Sequence, residues 1–562
     1  MGRLAVGTIG LLLLLAGCAV ESTIQPEVVV EQIVAPAVPL VVVLPHHDVV
    51  ATQRRELLET VSQQSQPDTI ILIAPNHFAA GQASIQTTDR IWTLAGGNVH
   101  LFPNVPVIDA LVTTGVASLE DSSFINEHGI KNVLADLHDA FPTANLVPII
   151  FKDTVSTTQI EELMQTLVIE CSDCGLIASV DMSHYNPAAV ADIHDIKTLR
   201  DLTELNEDDI WNTEIDSTPS LAVLLAWAQQ QNTEQFVLTD HTNSGGDETT
   251  SHIMGYYTAG TVTDYPDQLT FTFAGDMMLG REIGYQFQNN NFQDLFSNFG
   301  NRVFWGTDIA WANLEGPLSD VEVVQDRQPD DLVFLFSKQG ISALTYLKLT
   351  TIGLANNHGA NHGRAGLDTT RQVVEAAGLD WVGDPYGINE TSVKRYSVDD
   401  IAVSLIATNS FDGDQTGLTE LITQERDSGN FVIVLPHWGN EYQTTHSSRQ
   451  ESLATDWIAA GAGLIIGMHP HVVQDAQVIE GKLVIYSLGN FVFDQTFSKE
   501  TQQGLIVTGT ISEDELKLVL VPIVDRSLKP QLATGGEKQA LVDRICGNIQ
   551  EYCADGLITI GR

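Results

Sequence analysis

Short, continuous apolar runs alternate along this chain with longer stretches whose apolar residues recur at helical spacing. The runs Val38-Pro-Leu-Val-Val-Val-Leu44, Thr69-Ile-Ile-Leu-Ile-Ala74, Leu146-Val-Pro-Ile-Ile-Phe151 and Leu176-Ile-Ala-Ser-Val180 suit strands buried on both faces. Between them, Thr52–Gln63 and Gln159–Cys171 predict helices. The same alternation returns with Leu269–Ala274, Thr350–Ala355, Phe431–Leu435 and Leu464–Gly467. Strand and helix in alternation predict α/β architecture, here in two domains, 38–262 and 269–525. The joint falls at Asp264–Gln268, around Tyr265-Pro266-Asp267, and 526–562 reads as a C-terminal tail. The halves show no internal repeat.

The N-terminus has a different pattern. Arg3 precedes an apolar centre, Leu11–Leu15, too short for a permanent membrane span. It ends in Leu15-Ala16-Gly17-Cys18, which resembles a bacterial lipobox and implies a signal peptide (1–18) with lipidation at Cys18. The Val/Glu/Gln/Pro-rich residues 19–37 have no helical period and read as a tether. The expectation is an exported cell-envelope lipoprotein held to the membrane by acyl chains.

Charge narrows the partners. Among 562 residues, 27 Lys+Arg stand against 72 Asp+Glu, a net charge of -45. Such a field repels phosphate backbones, so nucleic acid is excluded as a partner. After Cys18 an even set of cysteines remains, as suits an exported protein with disulfides. Cys171 and Cys174 stand without a second CxxC, which leaves a local disulfide rather than a zinc knuckle; Cys546 and Cys553 would staple the C-terminal tail.

Candidate chemistry sits where apolar runs end. In the second half these ends carry Phe273-Ala-Gly-Asp276, Asn313-Leu-Glu315, Ala355-Asn-Asn357-His358, Pro436-His437-Trp-Gly-Asn-Glu-Tyr442, Gly467-Met-His469-Pro-His471 and Tyr486-Ser-Leu-Gly-Asn-Phe-Val-Phe-Asp494. Oxygen and imidazole donors in this mixture suit divalent metals such as Mn, Fe or Zn. In this order the motifs resemble the CapA (poly-γ-glutamate synthesis) family, related to calcineurin-like metallophosphoesterases. The resemblance implies an α/β sandwich in which Asp276, Glu315, Asn357, His437, His469 and His471 hold metal and His358 is the general acid or oxyanion partner. Two departures stand out: Met278 occupies a usual His position, and Asn361-His362 replace an Asp and an aromatic.

In the first half, Pro45-His46-His47-Asp48, Ala74-Pro-Asn-His77, Asn126-Glu127-His128, Ser179-Val-Asp-Met-Ser-His184-Tyr185 and Ser244–Tyr257 fall in predicted loops or at strand ends. This order resembles the Memo family, called AmmeMemoRadiSam system protein B in bacteria, whose fold is similar to class III extradiol dioxygenases. The resemblance places a metal at His46 and His77, with Glu127, His128 and His184 in the pocket. The family's third ligand is a Cys, and Asp216 stands in its place. Two His and a carboxylate form the facial triad of non-haem iron sites, and loss of the thiol suits an oxidising compartment. The alternative is that Asp216 only caps the following helix.

Three functions remain open. The CapA-like half performs metal-dependent hydrolysis or transfer on an envelope polymer or its phosphorylated precursor. Alternatively it tethers an anionic polymer such as poly-γ-glutamate alongside capsule synthesis proteins, which a charge of -45 disfavours unless metal bridges the two. In the third reading the Memo-like half carries redox chemistry and the other half docks it.

Overall fold

The computed structural model describes residues 39–562 except 95, 96, 98, 289, 290, 301 and 328–331. The lipobox with Cys18 and the tether at 19–37 lie outside the described residues. In the first half, strands Val41–Leu44, Gly175–Ser179, Thr69–Pro75 and Asn145–Phe151 lie side by side in that order, all parallel. Nearly every residue in them is buried, which is why they read as unbroken apolar runs. Antiparallel strands Thr249–Thr258 and Gln235–Asn243 extend one edge. Helices Ala51–Ser62 and Leu134–Ala140 pack Leu57, Leu58, Leu134 and Leu137 on one face. Helices Thr157–Glu170 and Thr218–Gln230 pack Leu163, Leu167, Leu224 and Trp227 on the other. The result is a three-layer α/β domain.

The second half is a sandwich of two sheets. One centres on Gln268–Met277, flanked by Ile309–Leu314 and Gln503–Ser512; the other contains Ile401–Asn409, Phe431–His437 and Ala462–Ile466. Phe271, Phe273 and Trp311 of the first meet Leu405, Ile433 and Leu464 of the second in one apolar cluster. Helices cover the outer faces, with Leu367 and Val374 on one side and Ala454 and Trp457 on the other.

One expectation changes. Residues 526–562 are not a tail. Leu557–Gly561 pairs antiparallel with Glu515–Arg526, and helix Gly535–Cys546 buries Leu541 and Ile545 between the sheets. Ile558 and Ile560 point inward while Leu557 and Thr559 face solvent, a period-2 pattern too short to stand out in the sequence. The Cys546–Cys553 disulfide ties the helix to strand Cys553–Ala554, and Cys171 pairs with Cys174.

The two halves are also tied together across the joint. Val38–Arg562 is one compact unit, and helix Ala188–Glu204 serves both halves. It packs on strand Thr249–Thr258 while Val190 and Ile193 enter the apolar cluster of the second half. Its Lys197 and Arg200 both pair with Asp308, and His194 Nε2 lies 3.2 Å from Val303 O. Arg302 pairs with buried Glu214, adding to the polar contacts that join the halves. Among the described residues no helix is long and apolar enough to cross a membrane.

Candidate metal centres

In each half the chemistry gathers at the carboxyl ends of parallel strands, where α/β sheets open their crevices. In the sandwich these ends belong to two facing sheets. Asp276 comes from Gln268–Met277, Glu315 from just past Ile309–Leu314, and His437 from the last position of Phe431–His437. Asn357 and His358 follow Thr351–Gly353, and His469 and His471 follow Ala462–Ile466. A Cβ at Gly275 would sit 1.9 Å from Gly489 O, so glycine there lets the Tyr486–Asn490 segment close on the strand. That approach delivers Asn490 Oδ1 to within 3.0 Å of His471 Nδ1.

All six expected ligands converge. His471 lies 3.4 Å from Asp276 Oδ2 and 3.6 Å from Glu315 Oε1; His437 Nε2 lies 3.8 Å from the same Glu315 oxygen. Asn357 Oδ1 is 2.8 Å, and His469 Nδ1 3.1 Å, from His437 Nε2. Glu315, His437 and His469 each offer an atom within 4.8 Å of the others. Both Glu315 carboxylate oxygens and His469 Nε2 are buried without a hydrogen-bond partner. Orphaned buried acceptors carry a large desolvation cost, and a divalent cation is the partner that this donor set fits. His469 and His471 also hold positive φ values of 95° and 57°, the backbone strain that collects at functional sites.

The electrostatics agree with a site for cations. Burial pushes the Glu315 carboxyl well above its usual range, opposed by His471 and reinforced by Asp276. Burial and the neighbouring imidazoles hold His437 well below the ordinary value, and burial with His471 lowers His469 to about 3. Burial works against a charge on His471, but Glu315 and Asp276 outweigh it and raise it to about 9. Two imidazoles are therefore neutral ligands in waiting, and one holds a proton that a metal would displace.

His358 stands at the edge, its Nε2 4.0 Å from Glu315 Oε1, with Phe334 stacked on its ring at 4.1 Å. Met278 is no ligand: it lies in the apolar cluster, its sulfur accepting from Gly280 N. Asn361 takes the place of the missing acid by accepting from His358 Nδ1, while His362 is exposed. Asn313, whose Nδ2 donates to Asp276 Oδ1 at 2.8 Å, and Asn490 have no role legible from sequence beyond their place inside the Asn313-Leu-Glu315 and Tyr486–Asp494 motifs. Phe411, set 4.3 Å from His469, Tyr442 and Phe497 are exposed apolar residues around the mouth.

In the first half, His46, His77 and Asp216 also meet. Asp216 Oδ2 lies 3.4 Å from His46 Nε2 and 3.5 Å from His77 Nε2. Asp216 does not cap the next helix, because Ser217 does so by accepting from Ser220 N. Its other oxygen is buried and unpartnered, which suits a cation between the three side chains. Glu127 orients His77, holding its Nδ1 at 2.6 Å and its backbone N at 3.0 Å. His128 stacks on His77 at 3.8 Å. Burial opposes charge on His77, yet Asp216 and Glu127 raise it to about 9; burial lowers His46 to about 4 against the pull of Asp216. Asp181, unassigned from sequence, is a further neighbour, with Oδ2 3.2 Å from His46 Nε2 and Oδ1 accepting from His46 N. His184 lies near enough to both His46 and His252 to disfavour their protonation.

Fold and sites together define a two-domain α/β protein with a candidate metal centre in each half. Residues 20–260 match the family described as Memo-like protein, and residues 270–495 match Bacterial capsule synthesis protein PGA_cap. The chain thus joins an N-terminal Memo-like domain to a C-terminal CapA-like domain. It is similar to the PGA biosynthesis protein CapA of Bacillus subtilis, at 28% identity over 43% of this chain and 67% of that one. The capsule biosynthesis protein CapA of Bacillus anthracis is 30% identical over 43% of this chain and 63% of its own length. A MEMO1 family protein of Caldivirga maquilingensis is 21% identical over 33% of this chain and 68% of its own. The chain spans about two thirds of the length of these relatives.

Proposed function

We propose that the CapA-like half is a divalent-metal hydrolase or transferase acting on an envelope polymer or its phosphorylated precursor, in capsule or poly-γ-glutamate metabolism. The observation that carries this reading is the orphaned Glu315 carboxylate and His469 Nε2, buried among Asp276, His437 and His471. The CapA relatives are named for PGA and capsule biosynthesis, which supports the pathway. Bound divalent ions would activate water and neutralise charge developing on phosphoryl oxygens. Asp276, Glu315, Asn357, His437, His469 and His471 would hold them. His358 would pass a proton to the leaving oxygen through Nε2, its other nitrogen fixed by Asn361. Lipidation at Cys18 would keep this site at the envelope, and Cys18→Ala should release the chain from the membrane fraction.

The test is cleavage of p-nitrophenyl phosphodiesters by the metal-stripped full chain with and without Mn²⁺. Turnover that needs Mn²⁺ and falls at least about a hundredfold in His437→Ala is the expected result. Tight polymer binding with no turnover by the wild type would replace the enzyme by a tethering factor. A second reading concerns the Memo-like half: the convergence of His46, His77 and Asp216 favours a non-haem iron or other divalent site there.

A further inference from the structure

The Memo-like pocket contains imidazoles that the His46–His77–Asp216 cluster does not use. His47 Nδ1 and His252 Nε2 lie 3.1 Å apart, their rings 5.3 Å apart and inclined by 27°. Two nitrogens bound to one ion at about 2.0–2.1 Å, at angles between square and tetrahedral, stand about 2.9–3.4 Å apart. The observed separation falls inside that window. His252 is buried.

A third imidazole is placed by the sheet. His184, on the short strand His184–Asn186, pairs with Thr250, which puts His184 and His252 on one face as diagonal cross-strand neighbours. His184 Nδ1 is buried and has no hydrogen-bond partner. Asp181 Oδ1, accepting from the backbone N–H groups of both His46 and His47, locks the loop that presents His47. His47 is half-buried, so the pair is reachable from solvent.

We propose that His47 and His252, with His184 as third donor, form a second metal site in the Memo-like half, beside but separate from the His46–His77–Asp216 cluster. Three imidazoles and no carboxylate suit a borderline ion of the zinc, cobalt or copper kind, whereas two His and a carboxylate suit iron or manganese. The site stands on its own geometry and does not depend on the function proposed for either half.

The experiment loads the metal-stripped full chain with Zn²⁺ alone and counts bound zinc by mass spectrometry after desalting. His252→Gln and, as a variant on a less buried residue, His47→Gln should each bind one ion per chain fewer than wild type. Asp216→Ala combined with His47→Gln should bind fewer ions than either alone. With Co²⁺, the visible band of a tetrahedral nitrogen site should weaken in His47→Gln and persist in Asp216→Ala. Equal zinc in wild type and both single variants would overturn the site and leave a plain imidazole–imidazole hydrogen bond. A combined variant that loses no more than Asp216→Ala would also overturn it, because one ion would then serve both clusters.

Discussion

Asn361 Oδ1 lies 3.1 Å from His358 Nδ1 and accepts the backbone N–H of Phe334 at 2.7 Å. The backbone N–H only donates, so the amide presents oxygen, and His358 must carry its proton on Nδ1. Its Nε2 is thereby turned toward the cluster, 4.0 Å from Glu315. An amide orients the ring as an aspartate would, but it lends no negative charge to an imidazolium. Burial leaves His358 below its ordinary value.

Asn361→Asp should raise the His358 pKa by about 1–2 units, since a carboxylate beside Nδ1–H favours the charged ring. If His358 is the proton donor, the wild-type activity falls as pH rises above a midpoint under the ordinary histidine value. In the variant that limb moves up by the same amount. The pH profile of phosphodiester turnover measures it, and an unmoved limb would remove His358 from the proton-donor role.

Metal binding to the CapA-like half should release protons. His471 is held near 9, so it carries a proton at neutral pH in the metal-free chain. Each proton displaced makes affinity climb about tenfold per pH unit below the pKa that holds it. The gain from His471 levels off near pH 9. Calorimetry in two buffers of different ionisation enthalpy counts the protons, and a count of zero contradicts the assignment of His471 as ligand.

Asp216 offers a direct comparison with the cysteine it replaces. Asp216→Ala in the full chain should lose one bound ion, while Asp216→Cys should retain it with preference shifted from manganese toward zinc. Metal analysis after equilibration with an equimolar Mn²⁺/Zn²⁺ mixture reads both effects. An unchanged load in Asp216→Ala would return Asp216 to a structural role.

Asp201, on the helix shared by the halves, should make stability depend on pH. Burial pushes its carboxyl up to about 8, and neither oxygen has a hydrogen-bond partner. The folded chain therefore binds a proton that the unfolded chain releases near 3.9. This contribution is fully present below the unfolded value and is lost as pH rises through about 8. Asp201→Asn mimics the protonated form and should stabilise by on the order of 1–3 kcal/mol at pH 8, with little effect at pH 4. Thermal melts at the two pH values check it.

The sequence by itself determined the buried parallel strands and the positions of most candidate ligands. Strands buried on both faces are unbroken apolar runs, and the residue that follows such a run lies at a crevice whatever the rest of the chain does. That local rule places Asp276, Glu315, His437, His46 and His77. Other features depend on partners far away in the chain. Asp216 reads equally as a cap or a ligand until Ser217 takes the cap and two distant histidines turn toward it. Leu557–Gly561 reads as a tail until Glu515–Arg526 offers an edge, and helix Ala188–Glu204 gives no sign that its far face belongs to the other half. Tertiary structure alone decided the His47–His252 contact and the Arg302–Glu214 seam. Hydrophobic period is a property of neighbours in sequence, whereas a polar contact is a property of two segments that the sequence does not order relative to one another.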